Sequence, residues 1–432
     1  MPHITISDIG PVDHIDIELN RFNVFIGPQG SGKSTIAKIV SFCQWLEKDC
    51  LKRQITSHAD ADFIDSQLVK YHNMEGYISE KSTFHYTGDA INIEMKNGAF
   101  SITRTEQFST SLFSKNAYIP AERNIISIPG IFATKMPDNN ILDFIDQWQT
   151  VRGKYKDGNR VPLLDLDQSY TYDNENNRDL VINDITGKSF VLSQVSSGLQ
   201  SVTPLCVMID YLTGWIYSHE EEFSAEDRET FRYAALSRLM AEKTGKNHLL
   251  ELAKRNKDVR EAIDIISEVM QYVPVKPDPV TETEKQVAEL QKLEASYSHP
   301  AFSNIVIEEP ELNLFPTTQV HLLYYLLSRI DHDRDRLTLT THSPYILYAL
   351  NNCILAGKAF SSDDTIPYRE MTDIPEKAWL DARKVSVWEL AEGKIRNGST
   401  IQDESGLIRD NYFDRIMHNV MVDFRNMLNF ID

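Results

Sequence analysis

The sequence is poor in cysteine pairs, long apolar runs and positive charge. Its 432 residues contain four cysteines, at positions 43, 50, 206 and 353, and none belongs to a CxxC pair. Such scattered cysteines argue against a zinc site or a disulfide framework, so we predict that they are small core residues in a reducing compartment. No stretch reaches the ~18 apolar residues of a membrane span, since even 204–217 carries Asp210. The first residues lack the basic and apolar regions of a signal peptide, and we expect a cytoplasmic protein that makes no membrane contact.

Negative charge is in clear excess. Lysine and arginine total 44 against 63 aspartates and glutamates, which gives a formal net charge of −19 at pH 7. That charge opposes non-specific attraction to nucleic acid over the whole surface, because phosphate binding needs clustered cations. Lys384, Lys394 and Arg396 lie near one another in the sequence and could form a local patch, although a solvated face is the favoured interpretation. Nucleic acid therefore stays open as a partner but is not indicated by the charge.

The most informative segment follows the strand-like run 22–26 and has the spacing GxxxxGK[ST]. It reads Gly27, Pro28, Gln29, Gly30, Ser31, Gly32, Lys33, Ser34 and Thr35. Glycine-rich backbone brings N–H groups close to a polyphosphate, and the helix that begins here points its positive end at the anion. Lys33 can reach the β- and γ-phosphates, and Ser34 can place its hydroxyl on Mg²⁺. The sequence therefore predicts a nucleoside triphosphate site.

Two distant segments supply the groups that hydrolysis needs. Residues 304–307 form an apolar run that ends in Glu308 and Glu309. Such acids at the carboxyl end of a sheet strand suit a metal and water site, with Glu308 holding Mg²⁺ through water and Glu309 orienting or deprotonating the attacking water. A second strand, 337–341, leads to His342, whose imidazole could hydrogen-bond the γ-phosphate or the water.

A third segment, Ser193–Ser201, is a turn of small residues that opens a helix. Its backbone N–H groups and hydroxyls could form a second anion site. A serine-rich helix cap without a ligand would look the same, so the residues alone leave both interpretations open.

The remaining pattern indicates an α/β protein. Strands are expected at 83–86, 90–96 and 100–105, with turns at 88–89 and 97–98, after an N-terminal β segment. A helix is expected at 142–155, a hairpin at 180–193, and mainly helix at 200–299, where the charged run 281–296 is read as an exposed helix. The alternation from 304 to 341 is the β-α-β pattern of a parallel sheet.

The last 20 residues carry an apolar stripe at helical spacing. Its members are Phe413, Ile416, Met417, Val420, Met421, Phe424, Leu428 and Ile431. We favour docking of this stripe on the core, with an oligomer contact as the alternative.

Taken in order, these segments resemble the ATP-binding cassette (ABC) ATPases. Within them they resemble the heads of SMC, Rad50 and RecF proteins, and most closely the OLD-like bacterial ATPases. The similarity rests on Ile307-Glu308-Glu309-Pro310-Glu311 with Leu314-Phe315-Pro316, on Thr341–Pro344, and on the signature-like turn Ser196–Gln200. Tyr118–Arg123 is similar to a segment near the lid of these heads. Because the usual glutamine is absent there, Glu122 and Arg123 are only candidate site residues.

The resemblance implies a P-loop NTPase fold of the ABC-head type, with a mixed N-terminal β-sheet, a parallel core sheet and an inserted helical lobe. Its expected divisions are a first head part at 1–128, an insertion at 129–180, the signature segment at 180–215, a helical lobe at 216–299, a second head part at 300–400 and a C-terminal helix at 401–432. It also implies ATP and Mg²⁺ as cofactors, and a head-to-tail homodimer or higher oligomer. In that dimer Ser196, Ser197, Gly198 and Gln200 complete the nucleotide site of a partner.

We therefore expect an ATPase whose ATP-dependent dimerisation controls a separate effector, such as a nuclease or toxin in anti-phage defence. The TOPRIM nuclease of full-length OLD proteins and a long coiled coil have no counterpart in the sequence. A DNA-repair ATPase similar to RecF or Rad50 and stimulated by DNA is the alternative. A transporter motor and a binding-only pseudo-ATPase are disfavoured, because the insertions are large and no catalytic position is degraded.

Overall fold

A mixed sheet of eleven strands forms the centre of the described molecule. The computed structural model describes residues 1–53, 56, 61–96, 99–108, 111–156, 158–219, 300–360, 372–428 and 430. The strands are β1 His3–Ile9, β2 Val12–Glu18, β3 Phe22–Ile26, β4 Thr83–Thr87, β5 Ile91–Lys96, β6 Ala99–Arg104, β7 Ser114–Ile119, β8 Val161–Pro162, β9 Gln168–Asp173, β10 Arg178–Asn183, β11 Ser189–Val191, β12 Phe302–Glu308, β13 Arg336–Thr340, β14 Val385–Ala391 and β15 Lys394–Ile395. The helices are α1 Lys33–Arg53, α2 Ala61–Ile64, α3 Asn140–Arg152, α4 Ser197–Asp210, α5 Pro316–Arg329, α6 Pro344–Phe360 and α7 Tyr412–Leu428.

The large sheet has a parallel half and a mainly antiparallel half. Its order is β6-β5-β4-β1-β2-β15-β14-β3-β13-β12-β7. Strands β14, β3, β13, β12 and β7 are parallel neighbours, whereas β2, β1, β4, β5 and β6 pair antiparallel. Every residue of β3 is buried, as expected for a parallel strand covered on both faces. The predicted α/β class is confirmed, with a large mixed sheet that has a parallel core.

Helix α1 lies directly after residues 27–34, the predicted phosphate loop, and packs through an apolar stripe. Its members lie three or four positions apart and are all buried: Ile36, Ile39, Val40, Cys43 and Leu46. The four cysteines are free and buried, as predicted from their spacing.

Most local predictions agree with the observed elements. Strands β4, β5 and β6 occupy the predicted positions, and α3 covers most of the predicted helix at 142–155. The predicted hairpin is β10–β11, which belongs to a second sheet of order β11-β10-β9-β8. The boundary placed at residue 180 falls inside β10, so that sheet spans it. The turn at 97–98, residues 220–299 with the charged run, and therefore most of the predicted helical lobe lie outside the described residues.

Helix α7 docks on the core only through Phe413 at its start, so the favoured prediction was wrong for the rest of the apolar stripe that the structure describes. None of the residues of α7 is buried. Periodic spacing predicts that one face of a helix is apolar, but it does not determine what covers that face.

No helix in the described ranges combines the length and the apolar character needed to cross a bilayer.

Candidate functional site

The phosphate loop joins β3 to α1 through backbone that glycine adopts most readily. Gly27, Gly30 and Gly32 have φ angles of 143°, 73° and 102°, a region that a Cβ disfavours. Space is also limiting at Gly27, where an added Cβ would lie 2.4 Å from the carbonyl oxygen of Leu390. The loop therefore has the glycine-dependent backbone that lets N–H groups approach a phosphate.

The Lys33 side chain folds back and bonds to the backbone of the phosphate loop. Its Nζ donates hydrogen bonds to the carbonyl oxygens of Gly27 at 2.9 Å and Pro28 at 2.8 Å. Burial lowers the pKa of Lys33 to about 8, and the negative charges of Glu309 and Glu311 partly oppose that shift. These carbonyl contacts hold the ammonium group within the loop.

Three neighbouring strands end beside this loop. Strand β13 lies between β3 and β12, and all three are parallel. The N–H of Thr341 donates to the carbonyl of Phe25 at 3.0 Å, and the N–H of Glu309 donates to that of Thr340 at 2.9 Å. Parallel strands share one carboxyl edge, where ligands of α/β sheets bind. The structure thus brings the acidic pair and His342 to the edge that carries the phosphate loop.

Glu309 and His342 face each other at this edge. Their Oε1 and Nε2 atoms are 3.4 Å apart. The hydrogen bond from His342 lowers the pKa of Glu309, with burial acting in the opposite direction. Glu309 also has a left-handed φ of 40°, a strained conformation that residues other than glycine adopt mostly where neighbours enforce it. An ionised, partly exposed carboxylate held in this way can accept a proton from a water molecule.

Glu308 is the better placed of the two acids for a metal. The residue is 6% exposed, and its Oε1 is buried without a hydrogen-bond partner. Burial raises the pKa of Glu308, while the Tyr118 hydroxyl, the charge of Lys38 and the Ser34 hydroxyl oppose this. Mg²⁺ is commonly held by one or two protein oxygens together with phosphate oxygens. The Ser34 hydroxyl and the unpartnered carboxylate oxygen fit that requirement.

Glu311 has a role that the sequence did not indicate. Its Oε1 accepts the backbone N–H of His342 at 2.6 Å. Burial raises the pKa of Glu311, and this backbone hydrogen bond counters the shift. Glu311 therefore fixes the start of the loop that carries the histidine, and its only sequence signal was its place two residues after the acidic pair.

Arg123 is completely buried and binds the loop that carries Glu309. Its Nη atoms donate to the carbonyls of Glu308 at 3.1 Å, Glu309 at 3.0 Å and Pro310 at 2.9 Å. Its Nε donates to the carbonyl of Ser201 in α4 at 3.1 Å. Burial lowers the pKa of Arg123 to about 10, so the guanidinium is charged at neutral pH. Of the two lid candidates, Arg123 thus contacts the site loop, whereas Glu122 is exposed.

The signature-like turn caps α4 and does not reach the phosphate loop of its own chain. The Ser196 side chain accepts the N–H of Leu199 at 3.4 Å. The side-chain amide of Gln200 donates a hydrogen bond to the carbonyl of Val195 at 3.0 Å. A Cβ at Gly198 would lie 3.2 Å from the carbonyl oxygen of Asn313. Among the described residues, no hydrogen bond or ion pair joins Ser196, Ser197, Gly198 or Gln200 to residues 27–35.

The three basic residues that could have formed a patch are each paired with carboxylates. Lys384 pairs with Asp333 and Lys394 with Asp13, and Arg396 lies 3.0 Å from an Asp410 oxygen. These pairs leave no uncompensated cluster of positive charge at that position.

Residues 3–298 match the model of the family AAA_23, described as an AAA domain. The chain belongs to the AAA domain family. This AAA domain protein is an ATPase, and ATP and Mg²⁺ are its cofactors. The family match ends before β12, so Glu308, Glu309 and His342 lie beyond it.

The chain is also similar to several solved structures. The SMC head domain from Thermotoga maritima is 9% identical, with a TM-score of 0.33, and the match covers 80% of this chain and 90% of that chain. The recombination mediator RecF is 9% identical, with a TM-score of 0.29 and coverage of 91% and 96%. A dimeric ATP-binding cassette bound to ADP and Pi is 9% identical, with a TM-score of 0.25 and coverage of 91% and 96%. At these scores the similarities assign no residue role. No curated protein matches the sequence.

Proposed function

We propose that this ATPase is a switch whose ATP-dependent head-to-tail dimerisation controls a separate effector protein. The observation that carries the proposal is the meeting of the phosphate loop, the acidic pair and His342 at the carboxyl edge of three parallel strands. We further propose that the effector is a nuclease or toxin and that the setting is anti-phage defence. This part rests on the resemblance of the IEEPE and THSP segments to OLD-like ATPases.

The proposed chemistry assigns one task to each side chain. Lys33 exchanges its carbonyl partners for phosphate oxygens, and Ser34 with Glu308 holds Mg²⁺. The bound Mg²⁺ supplies charge neutralisation on the phosphates. Glu309 accepts the proton of the attacking water, and His342, 3.4 Å away, orients Glu309 and the terminal phosphate.

The position of the signature-like turn supports the proposed head-to-tail pairing. Ser197 and Gly198 begin α4, and a helix N-terminus favours an anion. Since this turn is not bonded to the phosphate loop of its own chain, we propose that it completes the ATP site of a second copy. ATP would then hold the dimer together, and hydrolysis would release it.

Replacing Glu309 by Gln should separate binding from turnover. The amide cannot accept the proton of water, so we expect turnover to fall by roughly 100-fold or more, while ATP affinity stays within a few-fold. The Lys33→Ala variant should lose both ATP binding and turnover, because it lacks the cation that contacts the phosphates. Steady-state phosphate release and nucleotide titration measure the two quantities. Glu94→Gln, at an exposed position of β5, is the control and should behave like the natural chain. A Glu309→Gln protein with normal turnover contradicts the assignment.

The same variant tests the effector. Glu309→Gln, held in its ATP state, can be purified from cells that also carry the neighbouring genes, and both bound proteins and bound nucleic acid can be identified. We expect a stoichiometric nuclease or toxin that is lost from the Lys33→Ala protein. Co-purifying DNA without a protein partner would contradict the effector switch and support the DNA-repair alternative.

A further inference from the structure

Helix α7 exposes a continuous apolar face. This α7 face consists of Ile416, Met417, Val420, Met421, Phe424, Met427 and Leu428, each between 46% and 61% exposed. Single exposed apolar residues are normal in proteins, but a contiguous patch of this kind marks an interaction site.

Among the described residues, the hydrogen bonds and ion pairs that join α7 to the rest of the molecule come from its first turn. The Tyr348 hydroxyl donates to Asp414 Oδ1 at 2.6 Å, Arg415 pairs with Glu389, and Phe413 packs against the main core. From Ile416 to Leu428, no side chain makes a hydrogen bond or ion pair within the part of the chain that the structure describes. The helix is therefore fixed at one end, and its apolar face points away from the described body.

The spacing of the apolar residues suits pairing with another helix. Phe413, Val420 and Met427 are seven residues apart, and so are Met417 and Phe424. This is the a/d repeat of two helices that pack side chains into each other's gaps. Residues 416, 421 and 428 lie beside this row of residues and widen the apolar face.

The charges on α7 favour a protein partner over a membrane. The helix carries Asp414, Asp423, Arg415 and Arg425, which balance, whereas the whole chain has a net charge of −19. Interfacial membrane helices carry a polar face rich in lysine and arginine, which α7 lacks. Its neutral face is a place where two acidic copies of the chain can meet without added repulsion.

The area of the α7 face fits a symmetric pair. At roughly 100 Å² of remaining surface for each of its side chains, the face presents about 700 Å², close to the ~800 Å² that each partner contributes to a standard interface. A face made only of apolar side chains carries no charge that would repel the same face of a second copy across a twofold axis.

We propose that α7 packs against α7 of a second copy of this chain, about a twofold axis and without nucleotide. This contact is separate from the ATP-dependent head-to-tail interface, and it would keep two chains together through the ATPase cycle.

The four natural cysteines are buried, so an introduced surface thiol can report the contact. Val420→Cys lies in the centre of the α7 face, and Val422→Cys, two residues on, points about 200° around the helix and is a matched control. In the nucleotide-free full-length chain carrying Lys33→Ala, we expect Val420→Cys to form a disulfide-linked dimer on mild oxidation and Val422→Cys to stay at least tenfold less linked. Equal linking of the two variants, or no linking of Val420→Cys, overturns the proposal.

Solution mass provides a second measurement that does not depend on thiols. The nucleotide-free chain should have about twice the chain mass of 49.5 kDa by light scattering. The double variant Val420→Asp with Phe424→Asp should have the mass of one chain, while Val422→Asp should remain a dimer. Unchanged circular dichroism and ATP binding would show that the double variant is folded. A single-chain mass for the natural protein, whether α7 is free or covered by another part of the same chain, overturns the proposal.

Discussion

Lys33 combines burial with a charge that function requires. The residue is 4% exposed, and its Nζ bonds to two carbonyls and lies 3.4 Å from the Ser31 hydroxyl. Carbonyl oxygens compensate a buried ammonium less well than phosphate oxygens do. The nucleotide-free protein therefore gives up this proton more readily than an exposed lysine would.

ATP affinity should fall as the pH rises above about 8. Since burial lowers the pKa of Lys33 to about 8, the free protein is increasingly deprotonated above that pH, whereas the bound form needs the ammonium. Binding must then take up one proton, and the dissociation constant should rise by up to about tenfold per pH unit. Nucleotide titrations from pH 7 to 9.5 measure how the dissociation constant changes with pH. Calorimetry at pH 8.5 in two buffers of different ionisation enthalpy measures how many protons binding takes up.

Lys33→Arg is the control for this pH dependence. Its guanidinium keeps its charge throughout the range, so the slope should vanish even if affinity is lower at every pH. A slope that persists in the arginine variant, or binding without proton uptake, contradicts the assignment to Lys33.

At the scale of elements, Arg123 connects α4 to the loop after β12. It binds three successive carbonyls around the left-handed Glu309 and one carbonyl of α4. Asn313 adds a second link through its bond to the Ser201 hydroxyl at 3.0 Å. The helix that opens with the signature-like turn is thus tied to the loop that carries the proposed base.

Replacing Arg123 by Lys should impair turnover more than ATP binding. An ammonium keeps the charge but cannot make the forked contacts to successive carbonyls, so Glu309 would no longer be held in place. A displacement of about 1 Å at a reacting group lowers rates by roughly 100-fold, and we expect a loss of at least tenfold in kcat with ATP affinity within threefold. Arg178→Lys, at an exposed position of β10, is the matched control. Parallel losses in kcat, ATP affinity and melting temperature would indicate a purely structural role.

At the scale of the whole molecule, the proposed parts of the ATP site do not all meet within the described residues of one chain. The phosphate loop, the acidic pair and His342 share one edge, whereas the signature-like turn makes no hydrogen bond to the phosphate loop among the described residues. Completion by a second copy is the proposed solution.

Mixing two inactive variants should restore activity. Lys33→Ala lacks a working phosphate loop, and Ser197→Arg blocks the turn, yet a mixed head-to-tail dimer contains one site in which both parts are natural. Random pairing makes about half the dimers mixed, so we expect roughly a quarter of natural turnover, measured as phosphate release. Each variant alone should remain inactive. A mixture no more active than its components contradicts completion in trans.

Local chemistry at fixed spacing made much of the site predictable. The phosphate loop depends on glycines at set intervals and on the lysine that follows them, and all of these are adjacent in the chain. An apolar run that ends in Glu308 and Glu309, and another that leads to His342, predicted two strand ends. Because parallel strands share a carboxyl edge, their meeting with the loop could be expected as well.

The sequence by itself determined the α/β fold class and the residues at the carboxyl edge of the sheet, because strand patterns and glycine-dependent turns are written in neighbouring residues. Only the tertiary structure decided which carbonyls Arg123 binds, since those partners lie up to 187 positions away, and that Glu311 holds the His342 loop. It also decided that the apolar face of α7 is left uncovered. Helical spacing of apolar residues predicts which face of a helix is apolar. The surface that covers this face depends on which other segments folding places next to it.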